Sequence, residues 1–316
     1  MNDRAFLFPG QGSQAVGMGL DLFEKSDFAK RTFRIADEIL GYPLSRICFT
    51  GPEEELKLTF NTQPALLTVS YILYMLWQKE PLVAAGHSLG EYSALLCAGV
   101  FRYEDALALV HKRGQYMQEA VPVGKGAMAA LIGADIDLLR QTVDAVNQEN
   151  AGMPAESGGV KRVVNLANWN SAGQVVISGE KGAVEEAARR LGAKTVFLPV
   201  SAPFHSELML PAEERLAGDL DRVAFADPRF PVINNWQVRR VTSAAEAREG
   251  LKKQVSRPVR WHETQEMLLA DPAVAGFAEI GSGKVLAGLL KRAARDKNRQ
   301  VQIVNIENLT DIEENA

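Results

Sequence analysis

At 316 residues, 47% of them hydrophobic, the chain is long enough to bury one large core or two smaller ones. Its net charge of −4 and pI near 5.7 argue against a general nucleic-acid binder, which needs a basic surface. Cys48 and Cys97 are too few for a disulfide framework and fit a reducing compartment. The N-terminus leads directly into a strand-like run rather than a signal peptide, and the longest apolar stretch, residues 64–77, is too short to span a membrane. We therefore expect a cytoplasmic protein without nucleic-acid or membrane partners.

The first part of the chain alternates between apolar strand-like runs and helical patterns. Strands are predicted at residues 5–8 and 82–85. Helices are predicted at residues 23–40, 63–78, 88–98 and 103–120. This alternation is typical of a parallel sheet covered by helices.

The middle of the chain has a different pattern. Its predicted order is strand 127–132, helix 136–147, strands 163–168 and 174–178, helix 183–191 and strand 195–200. A βαββαβ order is that of a ferredoxin-like module. Residues 149–159, rich in Gly, Pro, Ala and Ser, are predicted to form a mobile loop inside it. We therefore predict an α/β protein in which a large α/β-hydrolase-like domain, residues 1–125 and 199–316, contains an inserted ferredoxin-like subdomain, residues 126–198.

The last third returns to the large domain. A loop-rich region with one helix at residues 208–220 is predicted first. A strand at residues 277–280, a turn at Gly281-Ser282-Gly283 and a helix at residues 284–295 follow. The acidic residues 310–316 are expected to fray.

The pentapeptide Gly86-His87-Ser88-Leu89-Gly90 stands between a predicted strand and a predicted helix. The glycines permit a tight bend that lifts the Ser88 hydroxyl clear of the sheet, and the helix that follows directs backbone N–H groups toward the same point. This arrangement presents Ser88 as a nucleophile. The alternative is a serine that caps the helix between two packing glycines.

A serine nucleophile needs a base, and the chain has only four histidines. His87 is expected to point away from the Ser88 hydroxyl, His111 to lie at the surface, and His262 carries no sign of a role. His205 follows a predicted strand end in a loop that a proline stiffens, where catalytic side chains of α/β sheets gather. His205 is therefore the candidate base, the alternative being a loop histidine with only a local hydrogen bond.

Arg113 interrupts an apolar stripe. Ala106, Leu109, Val110, Arg113 and Met117 share one face of the predicted helix at residues 103–120. A buried cation is costly without a partner, so the guanidinium needs a protein carboxylate or an anionic ligand. Guanidinium matches a carboxylate through two parallel hydrogen bonds. The alternative is an arginine whose stem packs on the core while its head reaches water.

Two glycine-rich segments do not predict nucleotide binding. Gly10-Gln11-Gly12-Ser13-Gln14 follows a strand but lacks the third glycine of a dinucleotide fingerprint, and Gly281-Ser282-Gly283-Lys284 lacks the spacing of a phosphate-binding loop. The first of these loops is instead a candidate source of a backbone N–H for an oxyanion.

These motifs occur together and in this order in one family, which the chain resembles over nearly its whole length. The matching segments are Phe8–Gln14, Asn61–Ala65, Gly86–Tyr92, Arg113–Gly114, Met117–Pro122, Asn168–Ser171, Gly173–Gly179, Ser201–Ser206, Glu279–Gly281 and Gly283–Leu286. The chain resembles the malonyl-CoA:acyl carrier protein transacylases, acyltransferases of fatty-acid and polyketide synthesis. One segment departs from the family pattern, because Trp236 follows Asn234-Asn235.

The resemblance implies a role for several residues. Ser88 would be the acylated nucleophile, His205 its base, and Arg113 the group that holds the free malonyl carboxylate. The backbone N–H groups of Gln11 and Leu89 would form the oxyanion hole.

Three further residues are assigned in the same way. The main-chain carbonyl of Gln254 would orient the histidine, and Met117 and Phe204 would contact the acyl group. The bulk of Phe204 is expected to favour malonyl over methylmalonyl units.

The implied reaction is transfer of a malonyl group from malonyl-CoA to the phosphopantetheine thiol of acyl carrier protein through a malonyl-serine. It requires no metal or other cofactor, and the family favours a monomer. A serine esterase or acyl hydrolase would use the same Ser88 and His205, although no carboxylate stands out as its third member. A non-catalytic subunit that only docks carrier protein is the second alternative.

The predicted C-terminal helix is basic. Lys284, Lys291, Arg292, Arg295, Lys297 and Arg299 face only Asp296 among nearby acids. Because carrier proteins of this system are acidic, this helix is a candidate docking surface. The alternative is an ordinary solvated face with cations near a helix C-terminus.

Overall fold

The computed structural model describes residues 3–153, 159–200 and 202–316. Within these residues the strands are β1 Arg4–Phe8, β2 Val83–Gly86, β3 Gly126–Ile132, β4 Val164–Ser171, β5 Gln174–Glu180, β6 Lys194–Phe197, β7 Val232–Ile233, β8 Arg240–Val241, β9 Gly276–Ile280 and β10 Gln302–Ile306. The α-helices are α1 Leu20–Lys25, α2 Asp27–Leu40, α3 Leu44–Thr50, α4 Glu53–Leu56, α5 Thr59–Trp77, α6 Leu89–Cys97, α7 Tyr103–Glu119, α8 Ile136–Asn150, α9 Lys181–Leu191, α10 Leu210–Arg222, α11 Ala244–Gln254, α12 Trp261–Ala270, α13 Val285–Asp296 and α14 Leu309–Glu314. A 3-10 turn, Glu207–Met209, leads into α10.

The larger sheet has the strand order β10-β9-β1-β2-β7-β8 and is parallel except between β7 and β8. Strand β1 is apolar on both faces, since Ala5 and Leu7 pack into one hydrophobic cluster while Phe6 and Phe8 pack into the other. Parallel strands covered by helices on both sides have this composition. The predicted α/β fold with a parallel sheet is confirmed.

The smaller sheet is antiparallel, with the order β4-β5-β3-β6. Together with α8 and α9 its strands form the predicted ferredoxin-like βαββαβ unit, and all four lie within residues 126–198. One face packs on α8 and α9 through residues such as Leu139 and Val184. Met128 and Val176 belong instead to the main core of the larger domain. The second sheet is therefore joined to the first by apolar packing.

The bounds of some elements differ from those predicted. Residues 23–40 are not one helix, because Ser26 is extended and its hydroxyl accepts the Ala29 N–H to cap α2. Strand β6 ends at Phe197, before the predicted residue 200. The C-terminal residues expected to fray form α14, which begins with a capping box at Asn308. The loop predicted at residues 149–159 begins only after α8, and its residues 154–158 lie outside the described residues.

The region predicted to be loop-rich contains more structure than expected. Residues 223–276 include β7, β8, α11 and α12, and β10 adds an edge strand beyond β9. Strands β7 and β8 have two residues each, too few for a periodic pattern to reveal. This region brings Asn235, Gln254 and Arg257 to the carboxyl end of β2, where a parallel sheet usually binds ligands.

Candidate active site

The turn between β2 and α6 is packed so tightly that two of its residues must be glycine. A Cβ on Gly86 would lie 1.9 Å from the Gly90 carbonyl carbon, and one on Gly90 would lie 2.0 Å from the Phe8 carbonyl oxygen. Ser88 has φ 52° and ψ −105°, a conformation that non-glycine residues rarely adopt. Its side chain does not cap α6, so the alternative of a capping serine is wrong.

The structure brings Ser88 and His205 together. The Ser88 Oγ lies 2.8 Å from the His205 Nε2, while the Nδ1 lies 3.0 Å from the Gln254 carbonyl oxygen and 3.1 Å from that of Arg257. Carbonyl oxygens only accept hydrogen bonds, so Nδ1 carries the ring hydrogen and Nε2 has a free lone pair. The Ser88 hydroxyl can therefore donate to Nε2, which is the geometry of a serine with its general base.

His205 is 4% exposed, and its environment disfavours the imidazolium form. Burial, followed by the positive charge of Arg113, lowers the pKa of His205 to about 3. Its hydrogen bonds to the two carbonyls act in the opposite direction. His205 is consequently neutral, and able to accept a proton, well below the ordinary pH range of imidazole titration.

Arg113 is the second group on the Ser88 oxygen. Its Nη2 donates to the Ser88 Oγ at 3.0 Å and to the Gln254 Oε1 at 2.9 Å, and its Nη1 donates to the Gln63 Oε1 at 2.7 Å. The guanidinium also lies 5.4 Å from the centroid of the Tyr92 ring. Among the described residues, Arg113 therefore faces only neutral groups at hydrogen-bond distance.

Burial decides between the predicted alternatives for Arg113. The residue is 1% exposed, so its head does not reach water. Across the described ranges, no aspartate or glutamate lies within ion-pair distance of it. A buried guanidinium with only neutral contacts lacks a balancing charge, and a carboxylate is the group whose geometry matches it with two hydrogen bonds.

The remaining predicted residues surround the same pocket. Gln11, Leu89, Met117 and Phe204 all line it together with Ser88. Within the described part of the chain, the backbone N–H groups of Gln11 and Leu89 have no acceptor. Leu89 is the first residue of α6, where the N–H groups lack intrahelical partners. Both N–H groups are thus available to an oxyanion at Ser88.

Sequence reasoning missed the amide side chains that support this arrangement. The Asn235 Oδ1 accepts the Ser88 N–H at 2.7 Å, and the Asn235 Nδ2 donates to the Gly86 carbonyl at 2.7 Å. Gln254 contributes its side chain as well as its carbonyl, since its Nε2 donates to the Ser88 carbonyl at 2.9 Å. Trp236 departs from the family pattern, but Asn235 and Gln254 on either side of it still contact Ser88.

The rings of the other three histidines have different partners. The His87 ring turns to the small subdomain, with its Nε2 2.9 Å from the Asn170 Oδ1. His111, expected at the surface, is half-buried, and its Nδ1 lies 3.0 Å from the Phe60 carbonyl. His262 packs against the Trp169 ring at 4.7 Å between centroids. Of the four histidines, His205 is therefore the one whose ring contacts the Ser88 hydroxyl.

Among the described helices, none combines the length and the apolar composition that crossing a membrane requires.

Comparison with known proteins gives a consistent result. A family model for the acyl transferase domain matches residues 5–313. The malonyl CoA-acyl carrier protein transacylase of Bacillus subtilis is 47% identical over 302 residues, which cover 93% of this chain and 92% of that protein. The crystal structure of an acyl carrier protein S-malonyltransferase from Vibrio cholerae is 42% identical, with a TM-score of 0.90 and 100% of both chains covered. A complex of a type II polyketide synthase acyl carrier protein with its malonyl-transacylase matches with 42% identity, a TM-score of 0.89 and 99% of both chains covered.

Proposed function

The chain belongs to the acyl transferase family of malonyl-CoA:acyl carrier protein transacylases, and we propose that Ser88, His205 and Arg113 carry out its reaction. The enzyme transfers a malonyl group from malonyl-CoA to acyl carrier protein. One observation supports the assignment of residues above all others. The Ser88 Oγ lies 2.8 Å from a base, the His205 Nε2, and 3.0 Å from a buried cation, the Arg113 Nη2.

That geometry matches a malonyl thioester, whose reacting carbonyl and free carboxylate are separated by one methylene group. The carboxylate pairs with the Arg113 guanidinium, and the thioester carbonyl then lies at the Ser88 Oγ. An acetyl thioester lacks the carboxylate and leaves the buried guanidinium unpaired, which is the penalty that gives a charged pocket its selectivity.

The first half of the reaction acylates the serine. His205 takes the Ser88 proton on Nε2 while the Oγ attacks the thioester carbonyl, and the N–H groups of Gln11 and Leu89 hold the oxyanion. The C–S bond then breaks, the proton on Nε2 passes to the coenzyme A sulfur, and malonyl-Ser88 remains. Loss of one oxyanion donor typically costs about 3–4 kcal/mol in the barrier.

The second half returns the enzyme to its starting state. The phosphopantetheine thiol of the carrier protein gives its proton to His205 and attacks the ester carbonyl, forming a second oxyanion in the same hole. The C–O bond to Ser88 breaks, and the Oγ takes the proton from Nε2. Each step uses side chains and backbone N–H groups of this chain together with the two substrates.

Phe204 and Met117 are assigned to the acyl pocket. Phe204 is 8% exposed and Met117 is 2% exposed, and both line the pocket that contains Ser88. Close-packed walls leave little room for an added branch, since one extra methyl group in a fitted pocket changes selectivity by roughly 10- to 200-fold. We expect the ring of Phe204 to disfavour methylmalonyl units for this reason.

The carrier protein is proposed to approach over α13. Leu286, Leu290 and Ala294 bury one side of this helix, while Lys291 and Arg292 lie exposed on the other. Neither exposed cation forms an ion pair with a described residue. An acidic partner would be attracted to this face, with a strength that falls as salt is added.

The test of the proposed function compares two acyl donors. Arg113→Ala should lower kcat/KM for malonyl-CoA by roughly 10²-fold relative to acetyl-CoA, because only the malonyl carboxylate pairs with the guanidinium. The ratio of the two donors is the measurement, since a general loss of folded enzyme lowers both rates equally.

Lys112→Ala is the matched control for this comparison. Lys112 is the neighbouring cation on α7, and its ion pair with Asp219 is partly exposed. Its removal should leave the malonyl-to-acetyl ratio within about twofold of the original value. An equal loss for the two donors in Arg113→Ala would contradict the proposed function of Arg113.

A further inference from the structure

Glu91 is a buried carboxylate that the steps above do not use. It lies in the first turn of α6 and is 1% exposed. Its Oε2 accepts the Gln254 Nε2–H at 2.7 Å and the Asn235 backbone N–H at 3.0 Å. Within the described residues, Glu91 forms no ion pair. A buried acid with no direct cationic partner carries a large desolvation cost, so its contacts call for a physical explanation.

The contact with Glu91 fixes which way the side-chain amide of Gln254 is turned. The Gln254 Nε2 donates to both the Glu91 Oε2 and the Ser88 carbonyl oxygen, so both of its hydrogens are used. A carboxylate oxygen only accepts, which places the nitrogen on this side of the amide and the Oε1 on the other. The Oε1 is therefore turned toward the Arg113 Nη2, 2.9 Å away.

The second contact reaches the serine from its other side. The same Glu91 oxygen accepts the Asn235 N–H, and the Asn235 side chain accepts the Ser88 N–H at 2.7 Å. Glu91 thus supports two residues that bind the backbone of Ser88, whose φ of 52° requires external support. The route through Gln254 to Arg113 is the shorter one, because a single amide contacts both Glu91 and Arg113.

Charge gives the arrangement a physical basis. Above the pKa of Glu91, its negative charge and the positive charge of Arg113 are joined by a single amide whose dipole has its positive end on Glu91 and its negative end on Arg113. Burial raises the pKa of Glu91 to about 7, whereas Gln254, Asn235 and the charge of Arg113 lower it. In a low-dielectric interior such a linked series is stronger than its separate hydrogen bonds.

We propose that Glu91 is a positioning residue for malonyl recognition, which acts by orienting the Gln254 amide so that its oxygen holds Arg113 beside Ser88. The proposal rests on the proposed function of Arg113. It predicts that loss of the Glu91 charge changes the choice between malonyl and acetyl donors, and not only the amount of folded enzyme.

The principal variant is Glu91→Gln. The introduced amide is neutral and can donate as well as accept, so the Gln254 amide loses one of the two acceptors that fix its direction and keeps only the Ser88 carbonyl. We expect the malonyl-to-acetyl ratio of kcat/KM to fall about tenfold, the typical effect of one hydrogen bond to a charged group. Ser93→Ala is the matched control, because Ser93 is buried on the same helix and its Oγ contacts no polar group of the described residues.

A double-mutant cycle separates positioning from general stability. Gln254→Ala removes the amide but keeps the main-chain carbonyl that contacts His205. If Glu91 acts through that amide, adding Glu91→Gln to Gln254→Ala should change the ratio by less than about twofold. Losses that add in full, or an unchanged ratio in Glu91→Gln, would overturn the proposal.

Two further measurements keep the outcome clear. Glu91→Asp keeps the charge but moves the carboxylate back by one methylene group, so it should also lower the malonyl-to-acetyl ratio. It takes the place of Glu91→Gln if Glu91→Gln does not fold. Arg113→Ala is measured beside them. A normal ratio in Arg113→Ala contradicts the proposed function, whereas a low ratio there with normal ratios in both Glu91 variants contradicts only the role of Glu91.

Discussion

The two walls of the acyl pocket differ in kind. The wall from the larger domain carries the polar groups of the described residues that bind Ser88, with hydrogen bonds of 2.7–3.0 Å to its backbone and hydroxyl. The wall from the smaller sheet and the segment that follows it contributes mainly apolar contacts, including Met128, Leu198 and Val200. One wall therefore fixes the chemistry, while the other limits the shape of the acyl group.

Individual glycines differ in how much room the backbone leaves for a side chain. On the chemical wall, glycines stand where a side chain has no room, whereas the β4–β5 hairpin of the smaller sheet has a glycine, Gly173, with open space around it. An alanine should therefore be severe at Gly90 and mild at Gly173, although it adds the same single methyl group at both positions.

The largest expected effect is that of Gly90→Ala. Helix propensity alone would favour alanine here by about 1 kcal/mol. The added Cβ would lie 2.0 Å from the Phe8 carbonyl oxygen, which already accepts the His87 N–H. Moving two backbone segments outweighs that gain, and we expect a loss of about 3 kcal/mol or more in stability together with loss of transfer activity.

Gly173→Ala is the control for that prediction. A Cβ at this position meets no atom within 4 Å, so its stability should change by less than about 1 kcal/mol. Thermal unfolding midpoints of the two variants give the comparison. Similar midpoints for both would mean that the turn at Ser88 has room for a side chain at Gly90.

A smaller effect is expected in the pH dependence of the chemical wall. Because burial and then Arg113 lower the pKa of His205, the imidazole stays neutral below its usual range and acylation of Ser88 should persist there. Removing the cation raises that pKa. In a plot of the acylation rate against pH, the acid limb should therefore move to higher pH in Arg113→Gln.

Acetyl-CoA is the suitable donor for this measurement, since it has no carboxylate to lose. The rate of the first acylation step is followed against pH in the parent enzyme and in Arg113→Gln. Met128→Leu, on the apolar wall, should leave the acid limb in place. A limb that stays at one pH in all three enzymes would show that Arg113 does not influence the base.

The sequence was sufficient to predict the parts of the site that have a local signal. Ser88 stands in a strand–turn–helix pattern, and Arg113 is a cation on an apolar stripe, so neighbouring residues alone indicate something unusual. The pattern left open whether the head of Arg113 is buried or reaches water, and the structure decides for burial, since the residue is 1% exposed.

Other parts had no such signal. Asn235 and Gln254 are neutral amides, and their roles arise from contacts with Ser88 across 147 and 166 positions of sequence. Glu91 stands inside the Ser88 motif, yet nothing in its spacing shows that its carboxylate is buried. The break at Ser26 depends on one hydroxyl that caps α2 rather than on any change in apolar periodicity.

The central claim is that Ser88 becomes covalently malonylated during transfer. The most direct measurement is mass spectrometry of peptides after brief incubation with malonyl-CoA in the absence of carrier protein, in the parent enzyme and in Ser88→Ala. We expect one malonyl group on the peptide that contains Ser88, its discharge when carrier protein bearing a phosphopantetheine thiol is added, and no adduct in the variant. An unmodified Ser88 peptide, or an adduct that persists in Ser88→Ala, would contradict the account.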